Sequence, residues 1–276
     1  MLRLVYIAVA TCAIIYLALA GLLYFSQRRL TYHPDSKRVT PSDAGLNDVS
    51  EITLNPPGGD KVLAWYGKAK PGQPTLLYFH GNGGSLATRA ERIGKYLARG
   101  RGMFMMSYRG YSGSTGEPSE AANVADAKLA YDTLIAEGVG PEDIIIYGES
   151  IGSGVAVQVA AAKPAAGLVL DAPYTRLVDI AADRYRWLPV RLMMRDRYES
   201  ATYLPGLKLP LLVVHGDQDQ TVPTAMGRKV YELAGGAKEI AILKGAGHND
   251  HHLFGSFEAV NGWIDRLRAP RRGTDQ

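Results

Sequence analysis

The hydrophobic and polar positions divide the chain into an apolar N-terminal stretch and a longer series of alternating elements. After that first stretch, short apolar runs of strand length recur, bounded by glycine, proline or polar residues. The first run alternates with period two, whereas later runs are continuously apolar, which is typical of strands buried on both faces. The runs predict eight strands: Val49–Leu54, Val62–Tyr66, Leu76–Phe79, Met103–Tyr108, Ile144–Tyr147, Leu168–Leu170, Leu211–His215 and Ile240–Leu243.

Amphipathic segments with a period near 3.6 residues lie between the later apolar runs. They predict helices at about Leu86–Arg99, Ser119–Glu137, Ile151–Lys163, Thr224–Leu233 and Phe254–Leu267. Because buried strands alternate with helices, the sheet must be mostly parallel and covered on both faces. The pattern therefore predicts an α/β fold built on a doubly wound, mostly parallel eight-stranded sheet.

One segment, between Asp171 and Leu207, is longer than a simple crossover helix requires, and it predicts a small helical cap at about 174–206. It mixes apolar residues with six arginines: Arg176, Arg184, Arg186, Arg191, Arg195 and Arg197. The favoured interpretation is a helical excursion whose arginines are solvated or paired with nearby acids. The alternative is that this cap covers a functional site and also touches lipid headgroups, since arginine with tryptophan and methionine suits a membrane interface.

The N-terminal stretch, Leu4–Phe25, is long enough to cross a bilayer. Its 22 residues carry no charge, and at 1.5 Å per residue they reach the hydrocarbon thickness of about 30 Å. We predict an anchor at 1–27. A signal peptide cleaved near Ala18-Leu19-Ala20 is the alternative, but the apolar run continues past that point.

The positive charge that follows the anchor predicts a single-pass membrane protein whose main domain lies on the cytoplasmic side. A cleaved signal peptide would instead make the domain an exported one. We predict a basic juxtamembrane linker at 28–45, the main domain at 46–268 and a flexible tail at 269–276.

Charge and cysteine content exclude several classes. The net charge of +4 is already reached within residues 1–40, so the rest of the chain is nearly neutral and no nucleic-acid partner is predicted. The charges in that region are Arg3, Arg28, Arg29, Lys37 and Arg38 against Asp35. Cys12 is the single cysteine, which excludes an intrachain disulfide and a cysteine-based metal site.

The most specific motif is Gly148-Glu149-Ser150-Ile151-Gly152, which follows an apolar strand and precedes a small-residue helix. The order strand, sharp turn, helix lifts a serine hydroxyl clear of a sheet, and it requires residues without bulk two positions away. Ser150 is therefore the predicted nucleophile, and we refer to the turn Gly148–Gly152 as the elbow.

A serine nucleophile needs a neighbouring base. His248 lies in a loop after the last predicted strand, where loops line the crevice of a doubly wound sheet, so we predict His248 as the base. His251 and His252 are the fallback bases, although the exposed start of the final helix is the better interpretation for them. His80 and His215 end apolar strands and are interpreted as structural.

The base needs an acid that orients it. Asp219 follows the seventh apolar run and yields the chain order Ser, Asp, His, so we predict Asp219 as the acid. Asp171, after the sixth run, is the competitor, and Asp217 is assigned to the turn.

When a serine attacks a carbonyl group, the carbonyl oxygen becomes negatively charged. Two backbone N–H groups are needed to stabilise this oxyanion. We predict the amide of Ile151, at the start of the elbow helix, and the amide of Asn82 in the turn His80-Gly81-Asn82-Gly83-Gly84, with Gly83 as the second choice. The turn is not a phosphate loop, since no Gly-Lys-Ser/Thr follows it.

These motifs, in this order, resemble those of the α/β-hydrolase superfamily. The chain is similar to membrane-anchored, single-pass α/β-hydrolase-domain serine hydrolases near the serine aminopeptidase-like branch. The strings that carry this similarity are Tyr32-His33-Pro34, His80-Gly81-Asn82-Gly83, Ser107-Tyr108-Arg109-Gly110-Tyr111-Ser112-Gly113-Ser114 and Gly247-His248-Asn249-Asp250. The resemblance implies an α/β-hydrolase fold and hydrolysis of esters or thioesters, with acyl lipids or acyl proteins as substrates. It carries nucleophile, acid and base onto Ser150, Asp219 and His248.

The sequence therefore predicts a membrane-anchored serine hydrolase that cleaves carboxylic esters or thioesters, some of them lipid-borne, through an acyl-enzyme on Ser150. Such an enzyme requires no cofactor. No metal site is predicted either, since no carboxylate or cysteine pattern completes a ligand set with His248, His251 and His252. An aminopeptidase-like peptidase and a non-catalytic binding protein of the same fold are the alternatives. The oligomeric state is left open.

Overall fold

The computed structural model describes residues 1–269 and contains the predicted α/β architecture. The strands are β1 (His33–Pro34), β2 (Ser50–Leu54), β3 (Val62–Gly67), β4 (Thr75–Phe79), β5 (Gly83–Gly84), β6 (Gly102–Met106), β7 (Ile144–Glu149), β8 (Gly167–Asp171), β9 (Leu211–Gly216) and β10 (Lys238–Leu243). The helices are α1 (Leu2–Thr31), α2 (Ala90–Ala98), α3 (Glu120–Ala136), α4 (Ile151–Ala160), α5 (Leu177–Arg184), α6 (Val190–Met193), α7 (Ser200–Tyr203), α8 (Thr224–Leu233) and α9 (Ser256–Arg268).

The main sheet has eight strands in the order β10-β9-β8-β7-β4-β6-β3-β2. Strands β2, β3 and β6 pair antiparallel, and the remaining neighbours pair parallel. The prediction of a mostly parallel eight-stranded sheet is therefore confirmed. Because parallel strands end at the same edge, the loops after β4, β7, β9 and β10 come together there.

Alternating side chains of the strands pack into two hydrophobic layers, one on each face of the sheet. On β4, Leu77 and Phe79 pack toward α3, α4 and α8, whereas Leu76 and Tyr78 pack toward α2 and α9. All four side chains are fully buried. Burial on both faces explains why these strands are continuously apolar in sequence.

The structure adds a two-stranded parallel sheet that the sequence did not predict. Strand β1 pairs with β5, with His33 opposite Gly83 and Pro34 opposite Gly84. Two-residue strands carry no periodicity, so the pattern of hydrophobic positions could not show them. This small sheet ties the end of α1 to the glycine-rich turn after β4.

The chain between β8 and β9 forms the short helices α5, α6 and α7, which lie over the carboxyl edge of the sheet. Two of its arginines have acidic partners, because Arg191 pairs with Asp179 and Arg197 with Glu199. Its inner side buries Tyr198 completely. We refer to residues 174–206 as the cap.

Helix α1 is one continuous helix of 30 residues with a mean hydropathy of 2.3 over its most apolar window and no buried residue, long and apolar enough to cross a membrane. It continues past residue 27 to Thr31, and its last turns contact the cap. The domain boundaries remain predictions. Residues 270–276 of the predicted tail lie outside the described residues.

Candidate active site

The turn between β7 and α4 holds Ser150 in a strained backbone conformation. Ser150 has φ +51° and ψ −118°, a combination that side-chain-bearing residues adopt rarely. A Cβ added at Gly152 would collide with the carbonyl oxygen of Phe79, and one at Gly148 would collide with the Gly152 carbonyl and Ala156. Glycine at both positions is therefore a steric requirement of the elbow that the motif predicted.

The three side chains predicted as nucleophile, base and acid lie in one hydrogen-bonded series. The Ser150 hydroxyl lies 3.0 Å from Nε2 of His248, and Nδ1 of His248 lies 2.7 Å from Oδ2 of Asp219. Since ionised Asp219 can only accept, Nδ1 carries the proton and Nε2 is left free to accept from Ser150. This arrangement has the order and tautomer that nucleophilic serine chemistry requires.

The environment of Asp219 keeps its carboxylate charged and fixed in position. Oδ1 accepts from the backbone N–H groups of Thr221 and Val222, both at 2.8 Å. Burial opposes ionisation, but hydrogen bonds from His215 and His248 outweigh it and hold the pKa of Asp219 well below its usual range. A charged carboxylate at Nδ1 stabilises the imidazolium that forms when His248 takes a proton.

The competing residues Asp171 and His251 pair with each other instead. Nδ1 of His251 lies 2.5 Å from Oδ1 of Asp171, and the Tyr147 hydroxyl donates to Oδ2 at 2.7 Å. Nε2 of His251 accepts from the Gly216 backbone N–H, so neither ring nitrogen faces Ser150. His251 is 4% exposed, so its interpretation as part of an exposed helix start is wrong, whereas His252 is exposed.

The remaining strand-end histidines, His80 and His215, are fully buried and hydrogen-bond backbone carbonyls, which agrees with a structural role. Nδ1 of His80 lies 2.6 Å from the carbonyl oxygen of Gly81, and burial, with a smaller effect from Arg89, lowers the pKa of His80 to about 3. His80 is therefore neutral at physiological pH. Nε2 of His215 lies 2.8 Å from the Val222 carbonyl oxygen and 3.4 Å from Oδ2 of Asp219, so its N–H is shared between the two acceptors.

The two predicted oxyanion donors border the space in front of Ser150. The N–H of Ile151 is at the first position of α4, where backbone N–H groups have no partner within the helix. Asn82 is held in place from both sides: its carbonyl accepts from His33 and Tyr111, and its side chain donates to the Thr31 carbonyl at 3.0 Å. Gly83, the second choice, is part of β5.

Two pockets meet at Ser150 and His248. The apolar pocket, of about 480 Å³, lies between α1 and the cap and is lined by Leu23, Tyr24, Leu30, Leu177, Ile180, Leu188 and Met193, among others. The polar pocket, of about 530 Å³, lies on the α2 side and is lined by Arg89, Arg92, Lys95, Glu149 and His252, among others. A substrate bound at Ser150 could therefore place an apolar and a polar part in different surroundings.

Sequence reasoning missed the support that Glu149 gives to the elbow. Its carboxylate accepts from Tyr78 at 2.5 Å and from Arg92 at 2.7 Å. Burial disfavours the charge, but Arg92, Arg89 and Tyr78 outweigh burial and hold the pKa of Glu149 at about 2. The charged residue inside an otherwise small and apolar motif was the signal that could have indicated this ion pair.

Comparisons with known proteins agree with this fold. Residues 74–204 match the family model described as alpha/beta hydrolase fold. The chain is 33% identical over 252 residues to an uncharacterized protein of Mycobacterium tuberculosis, covering 89% of this chain and 90% of that protein. It is 27% identical over 298 residues to lysophosphatidylserine lipase ABHD12 of Danio rerio, covering 91% of this chain and 77% of the relative.

Solved structures show the same architecture. The α/β hydrolase of Vibrio vulnificus superposes with a TM-score of 0.66 at 22% identity and covers 79% of this chain and 81% of its own. The esterase Pf2001 of Pyrococcus furiosus superposes with a TM-score of 0.66 at 19% identity, and the match covers 86% of this chain and 96% of the esterase.

The chain belongs to the α/β-hydrolase family. Within that family it is of the α/β-hydrolase-domain type that carries an N-terminal apolar helix, as the sequence motifs predicted. The relative whose name states an activity, the lipase ABHD12, supports a hydrolase.

Proposed function

We propose that this protein is a membrane-anchored serine hydrolase that cleaves carboxylic esters or thioesters with an apolar acyl chain. The observation that carries the proposal is the series of contacts from Ser150 through His248 to Asp219 at the meeting point of the two pockets. The lipase activity in the name of the relative ABHD12 supports a lipid ester. We further propose that α1 spans the membrane with the domain on the cytoplasmic side.

The first half of the reaction forms an acyl-enzyme. The Ser150 oxygen bonds to the substrate carbonyl carbon while its proton passes to Nε2 of His248. The carbonyl electron pair moves onto oxygen, where the N–H groups of Ile151 and Asn82 donate to it. Collapse of this intermediate expels the alcohol or thiol, which takes the proton from His248.

The second half releases the acid. A water molecule gives a proton to His248 and bonds to the acyl carbon, and the second tetrahedral intermediate uses the same oxyanion donors. When that intermediate collapses, Ser150 leaves and recovers its proton from His248. Asp219 stays ionised throughout and stabilises each imidazolium.

Labelling with a fluorophosphonate tests the nucleophile directly. We expect the full-length protein in detergent to be labelled and S150A to remain unlabelled, with the matched variant S153A labelled like the wild type. Ser153 is a suitable control because it lies one helical turn further along α4 and is buried. Folded protein without labelling, or labelling that survives in S150A, would contradict the proposal.

A substrate panel then tests the reaction class. We expect hydrolysis of long-chain esters and acyl thioesters, because the apolar pocket accommodates an acyl chain. Aminoacyl anilides are the matched peptidase substrates, and faster turnover of these than of the esters would indicate an aminopeptidase-like enzyme instead.

A further inference from the structure

The cap contacts α1 far from the end that joins the domain. The Tyr16 hydroxyl donates to the Trp187 carbonyl at 3.1 Å, and the two rings pack edge to face with their centroids 6.3 Å apart. Nearer the domain, Gln27 bonds the carbonyl of Met193 and Arg28 pairs with Asp196. The cap therefore lies along about half of the helix.

This contact has a consequence for depth in a bilayer. The part of α1 before Tyr16 rises about 20 Å, which is too short for hydrocarbon about 30 Å thick. If α1 spans the membrane, as we propose above, Tyr16 must lie within the hydrocarbon. A span that begins at Leu4 places Tyr16 roughly 10 Å below the boundary on the domain side.

The surface of the cap beside α1 has the character of a bilayer interface. Trp187 is 52% exposed and Leu192 is 88% exposed, although both are large apolar residues. Arg184 and Arg186 stand close to them in the chain, and arginine stems are long enough to carry their charge back to lipid phosphates. Interfacial helices insert to a similar depth of about 5–10 Å, with the same combination of residues.

The apolar pocket lies between these two inserted elements. One wall is the last part of α1, with Leu23, Tyr24 and Leu30, and the opposite wall is the cap. The anchor is thus also a wall of the pocket at Ser150. By the depth given above, Leu23 and Tyr24 lie at the boundary of the hydrocarbon.

We propose that the cap is inserted into the leaflet on the domain side, and that the apolar pocket receives the acyl chain of its substrate from that leaflet, between α1 and the cap. The occupant of the exposed surface of the cap is a phospholipid leaflet. The proposal rests on the proposed membrane anchoring and ester hydrolysis.

Intrinsic fluorescence tests the insertion. The chain has three tryptophans, and Trp65 and Trp263 are 1% and 3% exposed, so Trp187 is the one that lipid can reach. In vesicles of phosphatidylcholine brominated on its acyl chains close to the headgroup, we expect the full chain to lose emission that the W187F variant does not lose. Equal quenching of the two proteins would overturn the insertion.

Kinetics test the route of the acyl chain. We expect L192K to lower the hydrolysis of a long-chain ester embedded in vesicles, relative to a short soluble ester, by at least about tenfold, since lysine is unfavourable in hydrocarbon. The matched control is I135K, because Ile135 is also an exposed apolar residue but lies near the far end of α3. An unchanged ratio in L192K, or an equal change in I135K, would overturn the route.

The outcomes separate this proposal from the proposed function. Resistance of the protein to extraction from membranes by alkaline carbonate tests the anchoring, and fluorophosphonate labelling tests the nucleophile. Protein that is anchored and labelled, but whose Trp187 is not quenched, overturns the insertion and leaves the hydrolase in place. Protein whose Trp187 is quenched but which is not labelled would contradict the proposed hydrolase and support the insertion of the cap.

Discussion

At the scale of single residues, the candidate site is decided by which histidine each aspartate contacts. Two Asp–His pairs lie close together, Asp219 with His248 and Asp171 with His251. Both aspartates follow apolar strands, so their positions in sequence hardly distinguish them. Only the first pair bonds the Ser150 hydroxyl. Asp171 meets Ser150 through its backbone carbonyl, which accepts from the Ser150 N–H, and the remaining ring nitrogen of His251 is bonded to the backbone of Gly216.

The two aspartates are therefore expected to respond differently to the same substitution. D219N should lower kcat for a soluble ester by about ten-thousand-fold, because the amide no longer holds His248 in the productive tautomer. The melting temperature of the variant, measured by circular dichroism, should show that it is folded. D171N is the matched variant, and its kcat should fall far less. A larger loss of kcat in D171N would assign the acid to the other pair.

Glu149 predicts a pH dependence of stability. Its carboxyl is ionised in the folded chain down to a pKa of about 2, against an ordinary value of 4.5. The contribution of its charge to the free energy of unfolding is therefore fully present above pH 4.5 and is lost as the pH falls toward 2. We expect E149Q to unfold at lower urea concentration than wild type near neutral pH, and this difference to shrink as the solution is acidified.

The control for this measurement is E137Q, which removes a carboxylate from an exposed ion pair with Lys68. Exposed pairs contribute little, so E137Q should stay close to wild type at every pH. A difference between wild type and E149Q that grows on acidification would contradict the assigned pKa.

At the scale of elements, the elbow depends on close contact between β7, α4 and β4. We expect G152A to lose fluorophosphonate labelling and at least about 2–3 kcal/mol of unfolding free energy, because its Cβ meets the backbone of Phe79. The control is G206A, where a Cβ meets open space, and it should keep both properties. Normal labelling of G152A would show that the turn tolerates bulk.

The elements that could be predicted from sequence are those with a strong local pattern. Apolar runs, the first alternating and the later ones continuous, predicted the eight strands of the main sheet. Gly148 and Gly152 predicted the elbow, because the close packing there admits only glycine. The helix expected at Leu86–Arg99 is an α-helix only over Ala90–Ala98, with a 3-10 turn before it. Helix ends are set by tertiary contacts and caps, which periodicity does not contain.

The parts of the site that could not be predicted depend on contacts between distant segments. Tyr16 and Trp187 are 171 positions apart, and neither belongs to a motif. The same holds for β1 and β5, which pair through His33 and Gly83. Hydrophobic pattern records whether a residue is buried, but it does not record which segment buries it.

At the scale of the whole molecule, the proposed anchoring by an apolar helix, together with a nearly neutral domain, predicts which treatments release the protein from membranes. We expect it to stay in the membrane pellet at about 1 M salt, where the Debye length falls to about 3 Å and electrostatic binding is lost. Detergent should release it. Release by salt alone would show that the basic residues in and after the last turn of α1, rather than its apolar part, hold the protein there.

The meeting of two unlike pockets at Ser150 bears on what happens after cleavage. In the proposed reaction, the fatty acid is left on the side of α1 and the cap, and the alcohol on the side lined by Arg89 and Lys95. With the cap inserted as proposed, each product would have its own exit, one into lipid and one into water. Such sorting by solubility would keep a newly freed headgroup from blocking the arrival of the next chain, and it would make turnover depend on how quickly the leaflet carries away free acid.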